Sequence, residues 1–303
     1  MSDDIPFQKK FNLAPGVVDE VLPGIRRIVA PNPGPFTFTG TVTYILGHGN
    51  VAIIDPGPDS PEHVAKVLQA IEGETLTHVF ITHTHRDHSP GLRHVKAKFD
   101  VPAYGEGPHR ASRPLHEFET TIDVGGDQDF KPDVVIRDGD VIKGDGWALE
   151  AVATPGHTAN HMAFALQGTD ILFSGDHVMG WSTSIVAPPD GSMQDYMASL
   201  AKLRERNEDL YLPGHGGEVR DARRYVKHFV AHRKARETSI LKNLSETPTD
   251  IPSLVQKIYV GLDQRLRGAA ALSVLAHLED LVARGAVMTD GEPSIKGLYR
   301  ALV

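Results

Sequence analysis

The chain has no cysteine among its 303 residues. Disulfide frameworks, thiolate metal sites, iron–sulfur clusters and cysteine nucleophiles are therefore excluded together. The sequence also lacks any run approaching the roughly eighteen consecutive apolar residues that a membrane-spanning helix needs. Residues 1–6 are acidic and have no apolar core, which is not the pattern of a secretory signal. From these absences we expect a cytoplasmic protein with no membrane segment.

Positive charge is also scarce, because 31 Lys and Arg residues stand against 39 Asp and Glu, for a net charge of −8. Residues 218–303 are the exception, since their 14 basic and 10 acidic residues give a net charge of +4. The net negative charge of residues 1–217 opposes general affinity for nucleic acid, because such affinity depends on contacts between basic residues and phosphates. The basic tail permits such contacts, although a chance difference in charge between two domains is the simpler explanation.

The order of apolar runs and turns predicts two packed sheets with helices outside them. Helices are predicted over residues 61–71, 91–99 and 193–206. Strands are predicted over 41–46, 51–54, 79–81, 147–152, 162–166, 171–173 and 210–212, the first two forming a hairpin. Residues 105–143 are rich in Pro, Gly and Asp, and we expect them to form an irregular excursion near the functional site.

The C-terminal residues have a different pattern, and we place a domain boundary between residues 219 and 220. Long helical patterns cover residues 221–243 and 269–283, and a smaller helical unit starts at 249–252. A two-stranded ribbon is predicted over 286–289 and 295–299. Helices followed by a ribbon are typical of a winged-helix unit, which in some proteins binds nucleic acid and in others packs against a partner.

The strongest chemical signal is the run His83-Thr84-His85-Arg86-Asp87-His88, directly after the predicted strand over 79–81. Two imidazoles at positions i and i+2 of extended backbone can face the same way and bind one ion. The aspartate and the third histidine can reach a second ion nearby. Nitrogen and oxygen donors without sulfur suit zinc, and also iron or manganese. A solvated histidine-rich loop is the alternative, but this order of residues is more specific than a lone histidine pair.

Three later turns each place a potential ligand next to a predicted strand. They are Thr154-Pro155-Gly156-His157, Phe173-Ser174-Gly175-Asp176 and Leu212-Pro213-Gly214-His215. A rigid sheet can aim side chains at such positions into one site, whereas a single turn histidine is more often structural. With the first run, these turns supply the candidate ligands that two adjacent ions would need: His83, His85, Asp87, His88, His157, Asp176 and His215.

In this order the seven residues resemble the ligand set of the metallo-β-lactamase superfamily, over residues 20–217. The resemblance implies an α/β (α+β) fold, an αββα sandwich, with residues 1–219 as the catalytic domain and 220–303 as the winged-helix domain. Carried over by position, the first metal would be bound by His83, His85 and His157. The second would be bound by Asp87, His88 and His215, and Asp176 would bridge the two.

Other segments resemble a narrower group of this superfamily, that of β-lactamase-like protein two. These segments are Pro31-Asn32-Pro33-Gly34-Pro35, Asp55-Pro56-Gly57-Pro58, Thr154-Pro155-Gly156-His157-Thr158-x-x-His161 and the winged-helix tail. The group includes an endoribonuclease that acts on single-stranded RNA. Drug-hydrolysing members of the superfamily lack the bridging aspartate, whereas Asp176 is placed as in glyoxalase II and the superfamily nucleases, which disfavours β-lactamase activity. Di-iron electron-transfer members have glutamate at the position of His85, which disfavours a redox role.

Three residues are assigned roles in catalysis. Two divalent ions about 3.5–4 Å apart would share a bridging water and deliver it as hydroxide to a carbonyl or phosphoryl centre. Asp87 would both bind metal and orient this nucleophile. His161 is a candidate donor to the developing oxyanion or the leaving group, with a packed strand-edge histidine as the alternative. The resemblance implies that Asp55 accepts a hydrogen bond from a ligand imidazole and fixes its tautomer; without it, Asp55 would be interpreted as a turn residue.

We therefore predict a binuclear metallo-hydrolase with two divalent metal ions as cofactors, zinc first and iron or manganese as alternatives. Its substrate would be an ester, thioester or related small molecule. The alternative is single-stranded RNA, guided by the basic tail. A non-catalytic protein that retains the fold is a third hypothesis, and it is disfavoured because every ligand position is filled.

Overall fold

The structure, a computed structural model, describes residues 5–114 and 125–302. Its strands are β1 (Val18–Leu22), β2 (Ile25–Val29), β3 (Val42–Leu46), β4 (Asn50–Ile54), β5 (Thr75–Phe80), β6 (Ala103–Gly105), β7 (Val134–Val135), β8 (Val141–Lys143), β9 (Ala148–Ala153), β10 (Met162–Leu166), β11 (Ile171–Gly175), β12 (Leu210–Pro213), β13 (Val219–Arg220), β14 (Thr249–Asp250), β15 (Val287–Thr289) and β16 (Leu298–Ala301). Its helices are α1 (Pro61–Gln69), α2 (Leu92–Lys96), α3 (Met193–Glu205), α4 (Ala222–Asn243), α5 (Ile251–Ile258) and α6 (Arg267–Ala283). Within those two segments, no helix combines the length and the apolarity that crossing a bilayer requires.

Two sheets form the body of the molecule. The first contains β1 to β7 in chain order, and the second has the order β13-β12-β11-β10-β9-β8. Strands β4 and β5 pair in parallel, and so do β11 and β12, so the carboxyl ends of each pair lie at the same edge of their sheet. The predicted irregular segment 105–143 contributes β7 and β8 to the sheet edges, and its residues 115–124 lie outside the described part of the chain.

The two sheets pack face to face because their central strands are apolar on both sides. Ile54 of β4 lies in the core between the sheets, together with Phe164 and Phe173 of the second sheet. Its neighbour Ile53 points the other way, into the core beneath α1 and α2. Helices α3 and α4 cover the outer face of the second sheet, where Phe229 is fully buried. These four layers are the predicted αββα sandwich.

The C-terminal unit has a core of its own. It is built from the end of α4, from α5 and α6, and from a small sheet of order β14-β16-β15. The helices are as predicted, and β15 and β16 pair antiparallel as the predicted ribbon, with two differences. Strand β14, which is only two residues long, adds a third strand, and β16 begins at Leu298 rather than at residue 295.

The body and the C-terminal unit share α4. Tyr225, Val226 and Phe229 in its first half are buried in the same cluster as the side chains of α3. Arg113 of the body also forms an ion pair with Glu279 of α6. The boundary between residues 219 and 220 stays a prediction, and a cut there would remove part of the core of the body.

Candidate metal centre

The seven candidate ligands come together at one edge of the sandwich, and both sheets contribute to it. The first sheet supplies the residues that follow β5: His83, His85, Asp87 and His88. The second sheet supplies the residues that follow β9, β11 and β12: His157, Asp176 and His215. A backbone hydrogen bond from the amide of Val42 to the carbonyl of Gly214 joins the sheets beside this site.

Three imidazoles form a group that could hold one metal ion, here called the first metal-binding group. Nδ1 of His85 lies 3.1 Å from Nε2 of His83 and 2.9 Å from Nε2 of His157. All three nitrogen atoms lie within 4.8 Å of one another. They therefore point at a common centre, with the spacing that one ion requires.

A second group that could hold an ion, here called the second metal-binding group, lies beside the first. Oδ2 of Asp87 is 3.2 Å from Nε2 of His215 and 3.4 Å from Nε2 of His88. Asp176 lies between the two groups. Its Oδ2 is 3.2 Å from Nε2 of His215 and 3.7 Å from Nε2 of His157, and its Oδ1 is 3.6 Å from Nε2 of His88. The structure thus brings all seven predicted residues together in the two predicted groups, with Asp176 in contact with both.

Two buried atoms of this cluster fit a role as metal ligands. Nε2 of His88 and Oδ1 of Asp176 are buried and have no hydrogen-bond partner. A buried polar atom without a partner is costly, and a bound cation removes that cost. Gly214 packs directly against two candidate ligands. A Cβ atom at this position would lie 2.5 Å from Oδ1 of Asp176 and 2.6 Å from Cε1 of His88. The donors are imidazole nitrogens and carboxylate oxygens, which suit zinc, iron or manganese.

Hydrogen bonds on the far side of the rings orient the candidate ligands. Nδ1 of His157 lies 2.6 Å from the carbonyl oxygen of Ile185, and Nδ1 of His215 lies 3.2 Å from that of Gly40. A carbonyl can only accept, so each Nδ1 carries a proton and Nε2 is the nitrogen available to a metal. The sequence alone does not reveal these two carbonyl partners.

Asp55 orients two more rings from the end of β4. Its Oδ2 lies 2.8 Å from Nδ1 of His88 and also accepts the hydroxyl of Thr82 at 2.6 Å. Because the Thr82 hydroxyl donates to Asp55, its oxygen is left to accept from Nδ1 of His83 at 3.0 Å. Asp55 therefore makes the predicted contact with the imidazole of a candidate ligand.

The electrostatics of the two groups differ. Burial, reinforced by neighbouring imidazoles, lowers the pKa of His85 to about 3 and that of His83 well below its usual value. In the second group, burial opposes protonation of His215, but Asp176 and Asp87 outweigh it and raise its pKa to about 9. Burial alone would raise the pKa of Asp87, but His88 and His215 outweigh this effect and hold that pKa well below its usual range. The second group therefore holds concentrated negative charge next to imidazole nitrogens, where a cation is favoured.

His161 does not have the position predicted for a catalytic donor. Its Nε2 accepts the backbone N–H of Asp176 at 3.1 Å, which leaves Nδ1 to donate to Oγ1 of Thr154 at 2.8 Å. The ring is fully buried and packs against that of His83 at a centroid distance of 5.1 Å. With both nitrogens bound inside the protein, His161 holds the turn of Asp176 rather than facing a substrate.

The site opens into a cleft of about 570 Å³. Its floor contains residues of the two metal-binding groups, and its walls are largely apolar. The apolar side chains of the wall are Pro35, Phe36, Met179, Trp181, Ile185, Ala187, Ala269 and Leu272. Ala269 and Leu272 belong to α6, so the C-terminal unit forms part of the cleft. Sequence reasoning missed this wall, and it also missed Asp190, which lines the cleft beside His85.

The family follows from comparison with known proteins. The profile of the metallo-beta-lactamase superfamily matches residues 36–215. The chain belongs to the metallo-β-lactamase superfamily. This confirms the predicted class, a hydrolase of that superfamily, and a second profile, the beta-lactamase associated winged helix domain, matches residues 251–296.

Relatives within the superfamily cover most of the chain. A beta-lactamase-like protein 2 homolog of Caenorhabditis elegans is 31% identical over 89% of this chain and 88% of its own length. The atrochrysone carboxyl ACP thioesterase dmxR1 of Cryptosporiopsis sp. is 31% identical over 76% of this chain and 65% of its own length. The crystal structure of a beta-lactamase domain protein from Burkholderia ambifaria superposes with a TM-score of 0.79 at 22% identity, covering 96% of this chain and 95% of that one. This structural likeness supports the same fold.

Proposed function

We propose that this superfamily hydrolase cleaves an ester or thioester of an apolar acyl or aromatic group, using two divalent cations held by the two metal-binding groups. The observation that carries the proposal is the cleft, whose largely apolar walls open directly onto the candidate ligands. A carbonyl group attached to an apolar chain can reach the metal centre while the chain lies against the wall. We propose zinc as the metal, with iron or manganese as the alternatives.

Asp87 and the apolar cleft wall have different roles in the proposed reaction. When bound, a pair of divalent cations supplies a water of lowered pKa and polarises the carbonyl oxygen. Asp87 lines the cleft, and Oγ1 of Thr41 donates to its Oδ2 at 3.0 Å, which fixes the carboxylate. We propose that Asp87 also accepts a proton from the attacking water and so orients it. The apolar wall excludes bulk water from the reacting carbonyl.

The cleft wall favours an apolar group over a polyanion. The indole of Trp181 stacks on Phe38 with ring centroids 4.9 Å apart and an interplanar angle of 6°. Leu272 and Met179 extend this surface. Among the described residues that line the cleft, Arg86 is the only Lys or Arg side chain, and Asp190 adds a further carboxylate. A strand of phosphates would find little positive charge here apart from the metals.

A thioester is the form of this substrate that one relative supports. The name of dmxR1 describes a thioesterase that acts on an acyl carrier protein. A thioester carbonyl needs no strong acid at its leaving group, because a thiolate is a stable anion near neutral pH. This agrees with the position of His161, which is not available as a donor to a leaving group.

Single-stranded RNA stays the alternative substrate, and a cytoplasmic location stays a prediction. The observation that favours RNA is the winged-helix unit beside the cleft. Deleting residues 220–303 would not separate the two possibilities, because α4 completes the core of the body. The test therefore uses the full chain.

The experiment measures turnover of N-acetylcysteamine thioesters with acyl chains of increasing length, and of a labelled single-stranded oligoribonucleotide. The protein is stripped of metal and reloaded with zinc, iron or manganese. We expect thioester turnover that requires close to two metal equivalents, and no RNA cleavage. The variant His83→Ala is expected to stay folded and soluble but inactive. RNA cleavage without thioester or ester turnover would overturn the proposed substrate class, and absence of metal binding by the folded protein would overturn the whole proposal.

A further inference from the structure

A buried carboxylate stands next to the first metal-binding group, in the loop between β11 and α3. Asp190 is 4% exposed, and its Oδ2 lies 3.1 Å from Nε2 of His109 and 3.8 Å from Nε2 of His85. Neither Asp190 nor His109 belongs to the seven candidate ligands. A carboxylate buried in this way is kept only where a specific partner offsets the cost of its burial.

His109 is held in one orientation by a chain of hydrogen bonds. The amide Nδ2 of Asn160 faces the carbonyls of Gly107 and Pro108, and it donates to Oγ1 of Thr84 at 2.9 Å. The hydroxyl proton of Thr84 is then free to be donated to Nδ1 of His109, 2.9 Å away. This leaves the proton of the neutral imidazole on Nε2, the nitrogen that faces Asp190.

The backbone makes room for the His109 ring. A Cβ atom on Gly126 would lie 2.3 Å from Nε2 of His109, so only glycine fits beside the imidazole. Gly126 also forms an isolated β-bridge with His85. The ring of His109 therefore packs against Gly126, whose backbone pairs with that of His85.

His85 is the candidate ligand that this arrangement can serve. Its Nδ1 points at the centre of the first group, so its proton must be on Nε2, which faces Asp190. The other four imidazoles of the site each have a hydrogen-bond partner on the ring nitrogen away from the metal-binding groups. For His85 the corresponding group is Asp190. At 3.8 Å the contact is longer than a direct hydrogen bond, and a shift of about 1 Å in either side chain would form one.

We propose that Asp190, which lies beside His109, is a positioning residue for His85 that fixes its tautomer and strengthens metal binding by the first group. The proposal rests on the proposed metal centre. Outer partners of metal-bound histidines typically change metal affinity about 10–100-fold. Asp190 then serves the first group as Asp55 serves the second, and each group has one imidazole backed by a buried carboxylate.

The test measures metal binding rather than turnover. Zinc is titrated into the metal-free protein in competition with a chromophoric chelator, and cobalt(II) absorption reports the geometry. In Asp190→Asn, which keeps the shape but loses the charge, we expect one of the two zinc equivalents to bind at least tenfold more weakly and the other to be unchanged. His109→Gln should weaken the same equivalent. The double variant should be little worse than Asp190→Asn, because both residues act through one contact.

Controls separate positioning from general damage. Asp195→Asn is the matched substitution five residues further along the chain, outside the cleft, and should bind both equivalents as the wild type does. Asp190→Glu should recover part of the lost affinity. Wild-type affinity for both equivalents in Asp190→Asn, or equal weakening of both, would overturn the proposal while leaving the proposed function intact. Failure of the wild type to bind two equivalents would instead contradict the proposed metal centre itself.

Discussion

The carbonyl oxygen of Ile185 lies 2.6 Å from Nδ1 of His157. This contact ties a candidate metal ligand to the loop that forms one wall of the cleft. The same loop is held from the other side by α4, because the guanidinium of Arg233 donates to the carbonyl of Ser184 and packs over the ring of Tyr196. A helix at the start of the C-terminal unit is thus linked to the first metal-binding group through two consecutive carbonyls.

Arg233→Met tests this link. The Ser184 carbonyl loses a charged donor, so we expect the free energy of unfolding to fall by about 1–2 kcal/mol. We also expect zinc binding to the first group to weaken several-fold, because the loop that orients His157 is released. Urea unfolding and chelator competition measure the two effects. Lys234→Met, at the exposed neighbouring position, is the control and should change stability by less than about 0.5 kcal/mol.

Gly214→Ala should disable the metal centre without unfolding the protein. The new methyl group would collide with Asp176 and His88, and a displacement of about 1 Å at a catalytic site can cost about 10²-fold in rate. We expect turnover to fall by that order and metal content to drop below two equivalents by elemental analysis. Gly268→Ala, in the first turn of α6 with open space around it, should instead stabilise the protein by about 0.5 kcal/mol. Full metal content in Gly214→Ala would contradict the described geometry.

Leu272 is expected to set the preferred acyl length. Leu272→Trp would place a larger side chain in the cleft, beside the apolar wall. We therefore expect kcat/KM for an eight-carbon acyl thioester to fall at least tenfold relative to that for the acetyl thioester. Leu272→Ala should instead raise the same ratio by a few-fold. Leu241→Ala, in the same C-terminal core but outside the described lining of the cleft, is the matched control. An unchanged ratio between chain lengths in Leu272→Trp would show that the acyl group binds elsewhere.

His63 should make the protein sensitive to acid. Thr43 donates its hydroxyl to the carbonyl of Asp55 and accepts from Nε2 of His63 at 2.8 Å, while Nδ1 of His63 is buried without a partner. Burial lowers the pKa of His63 to about 4. Between that value and about 6.5 the unfolded chain binds more protons than the folded protein, so stability falls as the pH is lowered.

The size of this effect can be measured on the metal-free protein by urea unfolding at pH 7 and pH 5. We expect the wild type to lose about 2 kcal/mol more than His63→Gln over this interval. The same substitution at exposed His48 is the control. Equal losses in the wild type and in His63→Gln would rule out this origin of acid sensitivity.

Much of the centre could be predicted because its chemistry is concentrated in local motifs. His83, His85, Asp87 and His88 lie within one strand-end turn, and the resemblance supplied the order of the later ligands. Asp190 and His109 could not be found in this way, because they lie on separate loops and carry no spacing signal. Their relation to His85 exists only in the folded chain.

The differences between the predictions and the structure have equally physical causes. The hairpin of β1 and β2 was missed because charged residues such as Arg27, which pairs with Asp19 and Glu218, interrupt its apolar pattern. The position of His161 in a histidine-containing motif suggested catalysis. The turn after β9 instead directs Nε2 of His161 at the backbone of Asp176. The direction in which a side-chain ring points depends on the conformation of the turn that carries it. The spacing of residues in the sequence does not reveal that conformation.

Each metal-binding group takes ligands from both sheets of the sandwich. An ion in either group would therefore fasten the two halves together, and the sheets could not slide apart before it was released. Metal-loaded protein should for this reason unfold at a higher temperature than metal-free protein. Its free energy of unfolding should grow with the logarithm of the free metal concentration. Removing the metal would therefore lower the stability of the fold as well as abolish activity.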